Sequence, residues 1–590
     1  MRLRLSVPLR RALVGLAIAA FVVSACAPAA VPPAAPSPAK AGQAAPAAPA
    51  APAGPPTPGG RYIFGSFSDA KVLSPVLSTD VPSAEVWWRV YESLIKVDRN
   101  TGQPVPRLAE KFEFSPDGKG LIFTLRDGLT WSDGSAFSGD DFKFTAEAVM
   151  RSKKTVRKNI FQDIVGAREF GEGKADTISG IAVDGKTITV ALEKPFCPAL
   201  TGIGGFGVIP KSVFGKYMDP RDPSKNLDDA PENTAPPLAM GVFKLKEWKP
   251  NDHITLERND RFFGGKAFLD EWVFKIYPDA TAVAAALKTG EIDAARVEPK
   301  DLEELKRVDS LNFFSFLAPG YTYLGWNQLR GGKEFFQSKE VRQALAYGLN
   351  MDQVIDKILF GEGKKMLAHT PPVSWAYDPE ALNDYKYDPK KAQALLEQEG
   401  WTKGPDGIYQ KGGQRLEFTL ITNSGNRVRE TLLQIAAEQY KQLGISVIPQ
   451  TESFEALVDR LGKSKDPKYG DQGGHDYDAF ILGWSLGDDP DAYSIWHSTQ
   501  IQGGFNQVGY KNEVVDKALE DGRTNCAQAD RKEAYKRFDR QLNEDQPYNF
   551  GFAPNTLLFV NKKFQGVDPG PFPNYYNGTL WNVEKWWIKQ

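Results

Sequence analysis

The stretch LEFTLITNSGNRVRETLLQIAAEQYKQLGISVIPQ, Leu416 to Gln450, decides the fold class of this chain. LEFTLIT has the apolar and β-branched content of a strand, and the segment after it carries apolar residues at helical spacing as far as Gly444. ISVIPQ then reads as a strand directly after that glycine. A strand, a helix and a second strand in this order are typical of an α/β layer with parallel strands.

The same alternation of hydrophobic period runs outward along the chain. Strand-like stretches are LIFTLRDGLTW (121–131), TITVALEKPF (187–196) and HITLERNDRFF (253–263). Helical spacing is found in DDFKFTAEAVMRS (140–152), ATAVAAALKTGEID (280–293), SKEVRQALAYGLNMDQVIDKIL (338–359) and DPKKAQALLEQEGW (388–401). In SKEVRQALAYGLNMDQVIDKIL, Val341, Leu345, Leu349 and Ile355 line one face. We therefore predict a mixed α/β protein.

Residues 1–26 are predicted to be a lipoprotein signal peptide. Four arginines lie within the first eleven residues, and the apolar run from Ala12 to Val23 is shorter than the roughly 20 residues that span a bilayer. The sequence VSAC, ending at Cys26, resembles the lipobox of bacterial lipoproteins, which implies cleavage before Cys26 and acylation of this residue. More than one acyl chain would anchor the exported protein stably to a membrane. The alternative is an ordinary signal peptide in which Cys26 is incidental.

Residues 27–60 are predicted to be a disordered linker, because this stretch is almost entirely Ala, Pro and Gly and offers no side chains for a core. Proline-rich chain favours an extended conformation of about 3.1 Å per residue, so the tether would reach about 100 Å. A body on such a tether is expected to work at the outer face of a membrane.

Composition limits the function of the remaining body, which is about 530 residues long and large enough for two or three domains. The net charge is −2 and the basic residues are scattered, so we do not expect nucleic acid as a partner. Besides Cys26 the chain has Cys197 and Cys526, too few for a disulfide scaffold, and the sequence leaves their pairing open. The 13 Trp and 20 Tyr residues supply flat surface for a core or for ligand contacts.

Several segments together resemble one family of bacterial receptors. They are PRLAEKFEFSPDGKGLIFTLRDGLTWSDGSAFSGDDFKFTAEAV (106–149), GVFKLKEWKPNDHITLERNDRFF (241–263), LKTGEIDAA (287–295), VRQALAYGLNMDQVIDKILFGEG (341–363) and YDPKKAQALLEQEGW (387–401). In order and spacing they are similar to the bacterial extracellular solute-binding proteins of family 5, the oligopeptide-, dipeptide- and nickel-binding receptors of ABC importers. The resemblance extends over residues 60–590.

This resemblance implies a two-lobed, periplasmic-binding-protein-like α/β fold (a Venus flytrap) with an additional inserted domain. Lobe I would comprise 60–95, 208–325 and 560–590, the inserted domain 96–207, and lobe II 326–559. A ligand that touches both lobes only when they are closed shifts the population toward the closed form. The partners implied are ABC permease subunits with their ATPases, and the receptor itself would be a monomer.

The stretch FILGWSLGDDPDAYSIWHS, 480–498, matches the family segment that lines the cleft. Trp484 corresponds to a tryptophan that forms a side-chain pocket in the peptide binders. An aspartate that receives the peptide amino terminus usually follows, but Gly487 occupies its position here. Asp488, Asp489 and Asp491 are therefore the candidate anchors. A carboxylate that holds an ammonium group contributes about 1.5–3 kcal/mol.

Two other interpretations compete for this acidic stretch. GDDPD is typical of a turn, with Asp489 capping a helix that begins near Pro490. A hydrolase is disfavoured, because the adjacent Asp488 and Asp489 would point to opposite faces of an extended strand. The chain also carries no zinc-protease motif and no nucleotide-binding motif of the common types.

Further candidate ligand contacts come from two other segments. In APGYTYLGWNQ (318–328), Tyr321 and Tyr323 share one face of a strand that crosses between the lobes, so they either point into the cleft or form core. Asn423 and Arg427 follow the strand LEFTLIT, at the carboxyl end where ligand sites collect in α/β folds. Arg427 is a candidate contact for an anionic group, and an ordinary surface position is the alternative.

The sequence thus predicts a tethered receptor for di- or oligopeptides, with no catalytic residues and no cofactor. Oligosaccharide, which suits aromatic surfaces, and a nickel or haem complex remain alternative ligands. The four histidines, His253, His369, His475 and His497, show no metal-ligand spacing, so no metal site is predicted. Only His497 lies near the expected cleft in sequence.

Overall fold

The computed structural model describes residues 56–219, 221–329, 333–462, 476–502, 504–569 and 581–589. These residues belong to one compact unit. The predicted signal peptide, the lipidation candidate Cys26 and most of the predicted linker lie outside the described residues.

The strands alternate with helices along most of the chain. The strands are β1 Arg61–Ser66, β2 Ile95–Val97, β3 Pro104–Pro106, β4 Ala109–Phe114, β5 Gly120–Leu125, β6 Ile181–Asp184, β7 Thr187–Ala191, β8 Phe243–Lys249, β9 His253–Arg258, β10 Glu271–Ile276, β11 Ala294–Val297, β12 Leu311–Leu317, β13 Gly320–Trp326, β14 Gly363–Lys365, β15 Thr402–Lys403, β16 Tyr409–Lys411, β17 Gln414–Arg415, β18 Glu417–Asn423, β19 Ser446–Glu452, β20 Ala479–Ser485, β21 Tyr548–Asn561, β22 Phe564–Gln565 and β23 Trp587–Ile588.

The helices are α1 Val81–Val90, α2 Gly139–Arg151, α3 Lys158–Phe161, α4 Ala167–Gly171, α5 Ala199–Gly204, α6 Lys211–Phe214, α7 Ala280–Thr289, α8 Leu302–Leu305, α9 Lys339–Tyr347, α10 Met351–Leu359, α11 Pro389–Gln398, α12 Arg427–Leu443, α13 Phe454–Gly462, α14 Tyr493–Trp496, α15 Glu513–Thr524 and α16 Gln528–Asp545. The mixed α/β class predicted from hydrophobic period is therefore confirmed.

The strand–helix–strand unit predicted from residues 416–450 is present as β18, α12 and β19. The two strands pair in parallel, with Glu417 opposite Ser446. Asn426 begins the helix by accepting a hydrogen bond from the backbone N–H of Arg429 at 3.0 Å. Gly444 ends it with φ +99°, a conformation that favours glycine.

A single sheet of mixed strand direction runs through the molecule in the order β19-β18-β20-β13-β21-β11-β1-β10-β9-β8. The long strand β21 pairs with β13 and β14 along its first half and with β11 and β12 along its second half. The chain also crosses between the halves from β12 to β13, where the backbone N–H of Ala318 donates to the carbonyl oxygen of Pro554 at 2.9 Å. On this pairing we propose lobe limits at 318 and 554, against 325 and 559 from the sequence.

The buried side chains form separate hydrophobic cores on the two sides of these crossings. One core lies under β1, β8, β9 and β10, and it is continuous with the core of the region 96–207, where β4, β5, β7 and β6 form an antiparallel sheet. Two further cores lie on opposite faces of β13, β18 and β20, one with α9–α12 and the other with α15 and α16. The molecule thus has the two-lobed α/β architecture with an additional inserted domain.

The segment SKEVRQALAYGLNMDQVIDKIL forms two helices, α9 and α10, although its apolar residues share one face in a helical pattern. A Cβ atom at Gly348 would lie 2.7 Å from a methyl carbon of Leu443, so the chain approaches α12 closely at this point. Asn350 then begins the second helix by accepting a hydrogen bond from the N–H of Gln353 at 3.0 Å. This packing and capping interrupt the helix.

The structure also answers the question about the cysteines. Cys197, in the inserted domain, and Cys526, between α15 and α16 of lobe II, form a disulfide with their Cα atoms 5.1 Å apart. Next to it, the backbone N–H of Cys197 donates to the carbonyl oxygen of Arg523 at 2.8 Å. Since these cysteines are 329 residues apart, only the folded chain brings them together.

Candidate functional site

The candidate site lies at the carboxyl ends of the parallel strands β18 and β20, where ligands bind in open α/β sheets. A cavity of about 80 Å³ is found there, next to the first crossing between the lobes. It is lined by Pro319, by 369–371 and 373–375, by the acidic loop 486–491, and by Val97 and Gly102 from the inserted domain. Both parts of the molecule therefore contribute walls to this cavity.

Asp489 and Asp491, both candidate anchors in the acidic loop, are engaged by arginines. The guanidinium of Arg531 donates to both carboxylate oxygens of Asp489, at 2.6 and 2.9 Å. Arg523 donates to both oxygens of Asp491, at 2.8 and 2.9 Å. Both arginines belong to the α15–α16 region, so these pairs bind the loop to lobe II. Asp488 is exposed and contributes to the cavity wall.

The expected helix cap in this loop is wrong in detail, while the turn is confirmed. Asp489 accepts a hydrogen bond from the backbone N–H of Asp491 at 3.0 Å, and Asp491 accepts from that of Tyr493 at 3.2 Å. The following helix begins at Tyr493, beyond Pro490, and it is the side chain of Asp491, not that of Asp489, that accepts from the N–H of its first residue. These side-chain-to-backbone bonds are typical of turns built by aspartate.

Trp484 is half-buried at the end of β20. Its ring lies parallel to that of Tyr323, at 6.1 Å between centroids, and contacts Phe505 edge-on at 5.8 Å. Phe505 is 53% exposed and was not a sequence candidate, because nothing in IQGGFNQ (501–507) sets it apart from a core residue. These two aromatic side chains offer apolar surface beside the acidic loop.

Tyr321 and Tyr323 are both core residues, 2% and 0% exposed. The Tyr323 ring stacks on Tyr548 at 3.9 Å. The Tyr321 hydroxyl forms a 2.8 Å hydrogen bond with His369 Nδ1. The sequence left two alternatives, and the structure places both tyrosines in the core beneath the cavity wall. Direct contact between these tyrosines and a ligand stays a prediction.

Asn423 and Arg427 lie at the end of β18, as the sequence predicts. Asn423 is buried, and its side-chain oxygen accepts a hydrogen bond from the guanidinium of Arg429 at 2.8 Å. Arg427 is exposed, and its charge interacts with that of Lys300 in lobe I. Burial lowers the pKa of Arg429, whose Nε has no hydrogen-bond partner among the described residues. The end of β18 is thus positively charged.

His369 lines the cavity, although the sequence analysis did not make it a candidate for ligand contact. Its ring is 3% exposed, and burial lowers its pKa to about 3. Nδ1 lies 3.0 Å from Nε1 of Trp496, which donates to it, and 2.8 Å from the Tyr321 hydroxyl. No local sequence pattern marks this histidine, because both partners come from distant segments. His497, the sequence candidate near the cleft, bonds locally to Thr499 at 2.8 Å.

No group of three or more His, Cys, Asp or Glu side chains that could hold a metal ion occurs among the described residues, which exclude His475. Over the same residues, no helix combines the length and apolar character required to cross a membrane.

Comparison with known proteins gives consistent results. The model of the bacterial extracellular solute-binding proteins, family 5 (middle region), matches residues 103–506. The oligopeptide-binding protein AppA of Bacillus subtilis is 31% identical over 537 residues, which is 90% of this chain and 92% of AppA. The dipeptide-binding protein of Escherichia coli is 30% identical over 326 residues, 53% of this chain and 58% of that protein.

Solved structures show the same relationship. The structure of B. subtilis AppA in complex with a nonapeptide has a TM-score of 0.70 at 30% identity, covering 91% of this chain and all of that one. NikZ of Campylobacter jejuni, in complex with Ni(L-His), has a TM-score of 0.70 at 25% identity, covering 90% of this chain and 99% of NikZ. The chain therefore belongs to the bacterial extracellular solute-binding proteins of family 5.

Proposed function

We propose that this protein is the peptide-binding receptor of an ABC importer and that it has no catalytic role. The observation that carries the proposal is the similarity to AppA over nine-tenths of the chain, since the solved AppA complex contains a nonapeptide. The ligand would lie at the carboxyl ends of β18 and β20, between lobe II and the inserted domain. Closed receptor would then dock on a permease, whose ATPases supply the energy.

The charges at this edge of the sheet support a peptide ligand. The exposed Arg427 and the half-buried Arg429 are suited to a carboxylate or to backbone carbonyl groups, and Asp488 is the exposed acid of the neighbouring loop. Asp489 and Asp491 are held by arginines, so their charge is largely compensated. Ligand affinity would therefore depend mostly on main-chain hydrogen bonds and on apolar surface, which is compatible with broad sequence tolerance.

The candidate cavity is lined both by lobe II and by the inserted domain, so separation of these two parts would widen it for ligand entry. The crossings at β12–β13 and within β21 are the segments about which the halves would rotate, because the described chain passes from one half to the other there and β21 pairs with strands of both halves. Closure around the ligand would then bury it against both walls.

Native mass spectrometry of the purified mature protein tests the ligand class. We expect short peptides to be released on mild denaturation, and titration calorimetry of the emptied protein to show binding of synthetic tri- to nonapeptides. A released sugar, or a nickel complex, with no heat from any peptide would contradict the proposal. Unchanged peptide length on treatment with the receptor would support the absence of hydrolysis.

We also propose that Cys26 carries a lipid and that residues 27–60 form the tether to the membrane. The lipobox-like VSAC sequence and the Ala/Pro-rich composition support this proposal. Expression in a bacterial host with labelled palmitate should label the wild-type chain and leave Cys26→Ser unlabelled and released from membranes. Equal labelling of both chains, or none of either, would contradict it.

A further inference from the structure

His369 differs from the other side chains of the cavity wall because its buried ring is held through one nitrogen only. Two donors, the Tyr321 hydroxyl and the Trp496 indole, converge on Nδ1. The rings of Tyr321, Trp496 and Phe538 surround the imidazole edge-on, with centroids 5.7–6.1 Å away. The indole N–H can only donate, so Nδ1 must be an acceptor and the ring proton is placed on Nε2.

Both hydrogen bonds of the His369 ring are made at Nδ1, and none of the described residues accepts from Nε2–H. Nε2 of His497 also makes no hydrogen bond, but it lies 3.6 Å from a carboxylate oxygen of Glu520. His369 lines the cavity, so a ligand bound there would supply the acceptor that its Nε2–H lacks. A buried donor that is left without a partner is costly, and an acceptor placed opposite it is correspondingly favoured.

We propose that Nε2–H of His369 donates a hydrogen bond to an oxygen of the bound ligand, a peptide carbonyl or a terminal carboxylate. The proposal rests on the proposed peptide-binding function and adds a specificity-determining residue to it. The imidazole stays neutral in its aromatic surroundings, so it recognises an acceptor by direction and not by charge. An ammonium group offers no acceptor and would be rejected at this position.

The protein chain offers a matched pair of variants. In His369→Gln the amide oxygen can accept from Tyr321 and Trp496 while the amide N–H₂ still donates toward the cavity. In His369→Leu the apolar volume is kept but both functions are lost. With hexa-alanine as the probe, we expect His369→Gln to bind within about threefold of wild type and His369→Leu to bind at least tenfold more weakly. Thermal unfolding of both variants checks the fold.

NMR of the imidazole reports the tautomer of His369 and the hydrogen bond of its Nε2 proton, which a role in packing alone would not change. Long-range proton–nitrogen spectra of ¹⁵N-histidine protein should show the Nε2–H tautomer of His369 without peptide. The Nε2 proton should then move downfield when hexa-alanine binds. The same titration with amidated hexa-alanine separates the two acceptors: an unchanged shift indicates a backbone carbonyl, and a lost shift indicates the terminal carboxylate.

The outcomes separate this proposal from the one on which it rests. If hexa-alanine and the other peptides fail to bind the wild-type protein, peptide recognition itself is wrong. If hexa-alanine binds wild type but His369→Leu keeps its affinity, or the Nε2 proton does not shift, then only the role of His369 is wrong. An Nδ1–H tautomer in the free protein would overturn it as well.

Discussion

Asp539, on α16, is buried beneath the cavity wall and accepts a hydrogen bond from the backbone N–H of Thr370 at 3.2 Å. Burial raises the pKa of this carboxyl to about 7 from an ordinary value of 3.8. Between these two pH values the unfolded chain is ionised while the folded chain keeps its proton. The folded state therefore binds more protons, and stability falls as pH rises through this window.

Asp539→Asn removes this titration. We expect the stability of the variant relative to wild type to increase between pH 4 and pH 7, by a few kcal/mol in total, and to stay constant above pH 7. Urea unfolding at pH 4, 5, 6, 7 and 8 measures the difference. Burial also lowers the pKa of His369, so the folded protein loses stability as pH falls below 6.5. Both proteins contain His369, so this contribution cancels in the difference between them. A difference that does not change with pH would contradict the expectation.

The pair of Asp489 with Arg531 is a second prediction at the residue scale. The side chains are 14% and 9% exposed. Burial alone would lower the pKa of Arg531, but the charge and hydrogen bonds of Asp489 outweigh burial and raise it. Asp489→Asn leaves a buried guanidinium uncompensated, and we expect it to cost about 3–5 kcal/mol of unfolding free energy.

The matched control is the pair of Lys154 with Asp229, whose side chains are 59% and 87% exposed. Asp229→Asn should change the free energy of unfolding far less than Asp489→Asn does, since exposed ion pairs contribute little. Denaturant titrations of both variants decide the matter. If the two variants lose similar amounts of unfolding free energy, Asp489 is not held by a buried ion pair. It would then again be a candidate for binding the amino group of a ligand.

At the scale of elements, the crossing between the lobes depends on close strand packing at two glycines. A Cβ atom at Gly320 would clash with the carbonyl oxygen of Trp484, and one at Gly551 would clash with that of Thr322. Both obstacles are backbone atoms, which cannot rotate away. The register of β13 against β21 also shifts between Thr322 and Tyr323, beside the second glycine.

We therefore expect Gly551→Ala to cost about 1–3 kcal/mol of unfolding free energy, through displacement of β21 from β13. Gly487→Ala is the control, because a Cβ atom there meets nothing within 4 Å and the glycine needs no special backbone angle. Thermal and denaturant unfolding of the two variants compare them directly. A Gly551→Ala protein as stable as Gly487→Ala would show that the crossing strands have room to move.

At the scale of the whole molecule, the disulfide joins the inserted domain to lobe II. The two halves are already joined by the crossings at β12–β13 and β21, so Cys197–Cys526 is an additional covalent link between them. The disulfide and the acidic loop line one further cavity of about 90 Å³, which shares Gly102 and Trp375 with the candidate site. The candidate site therefore lies between the crossings and the disulfide.

Opening of the lobes should be limited by this link. We expect the double variant Cys197→Ser/Cys526→Ser to exchange bound peptide faster in stopped-flow displacement, and to lose about 2–4 kcal/mol of unfolding free energy. Dithiothreitol should reproduce both effects in wild type and change neither in the double variant. Equal exchange rates for the two proteins would indicate that opening does not separate the two cysteines.

The sequence by itself determined the α/β class, the family and the edge of the sheet where the candidate site lies. These properties are encoded locally: hydrophobic period and turn residues fix elements such as β18, α12 and β19, and the order of family motifs follows directly from the chain. The acidic turn at 486–491 was predicted for the same reason, since Asp489 and Asp491 each accept from the backbone N–H two residues onward.

Only the tertiary structure decided the roles of individual side chains. Asp489 and Asp491 have arginine partners 42 and 32 residues away, His369 receives its hydrogen bonds from segments 48 and 127 residues away, and the two cysteines are 329 residues apart. The short-range patterns that build helices and turns carry no information about such contacts. Whether a carboxylate or an imidazole serves a ligand or the protein depends on the groups that the folded chain brings against it.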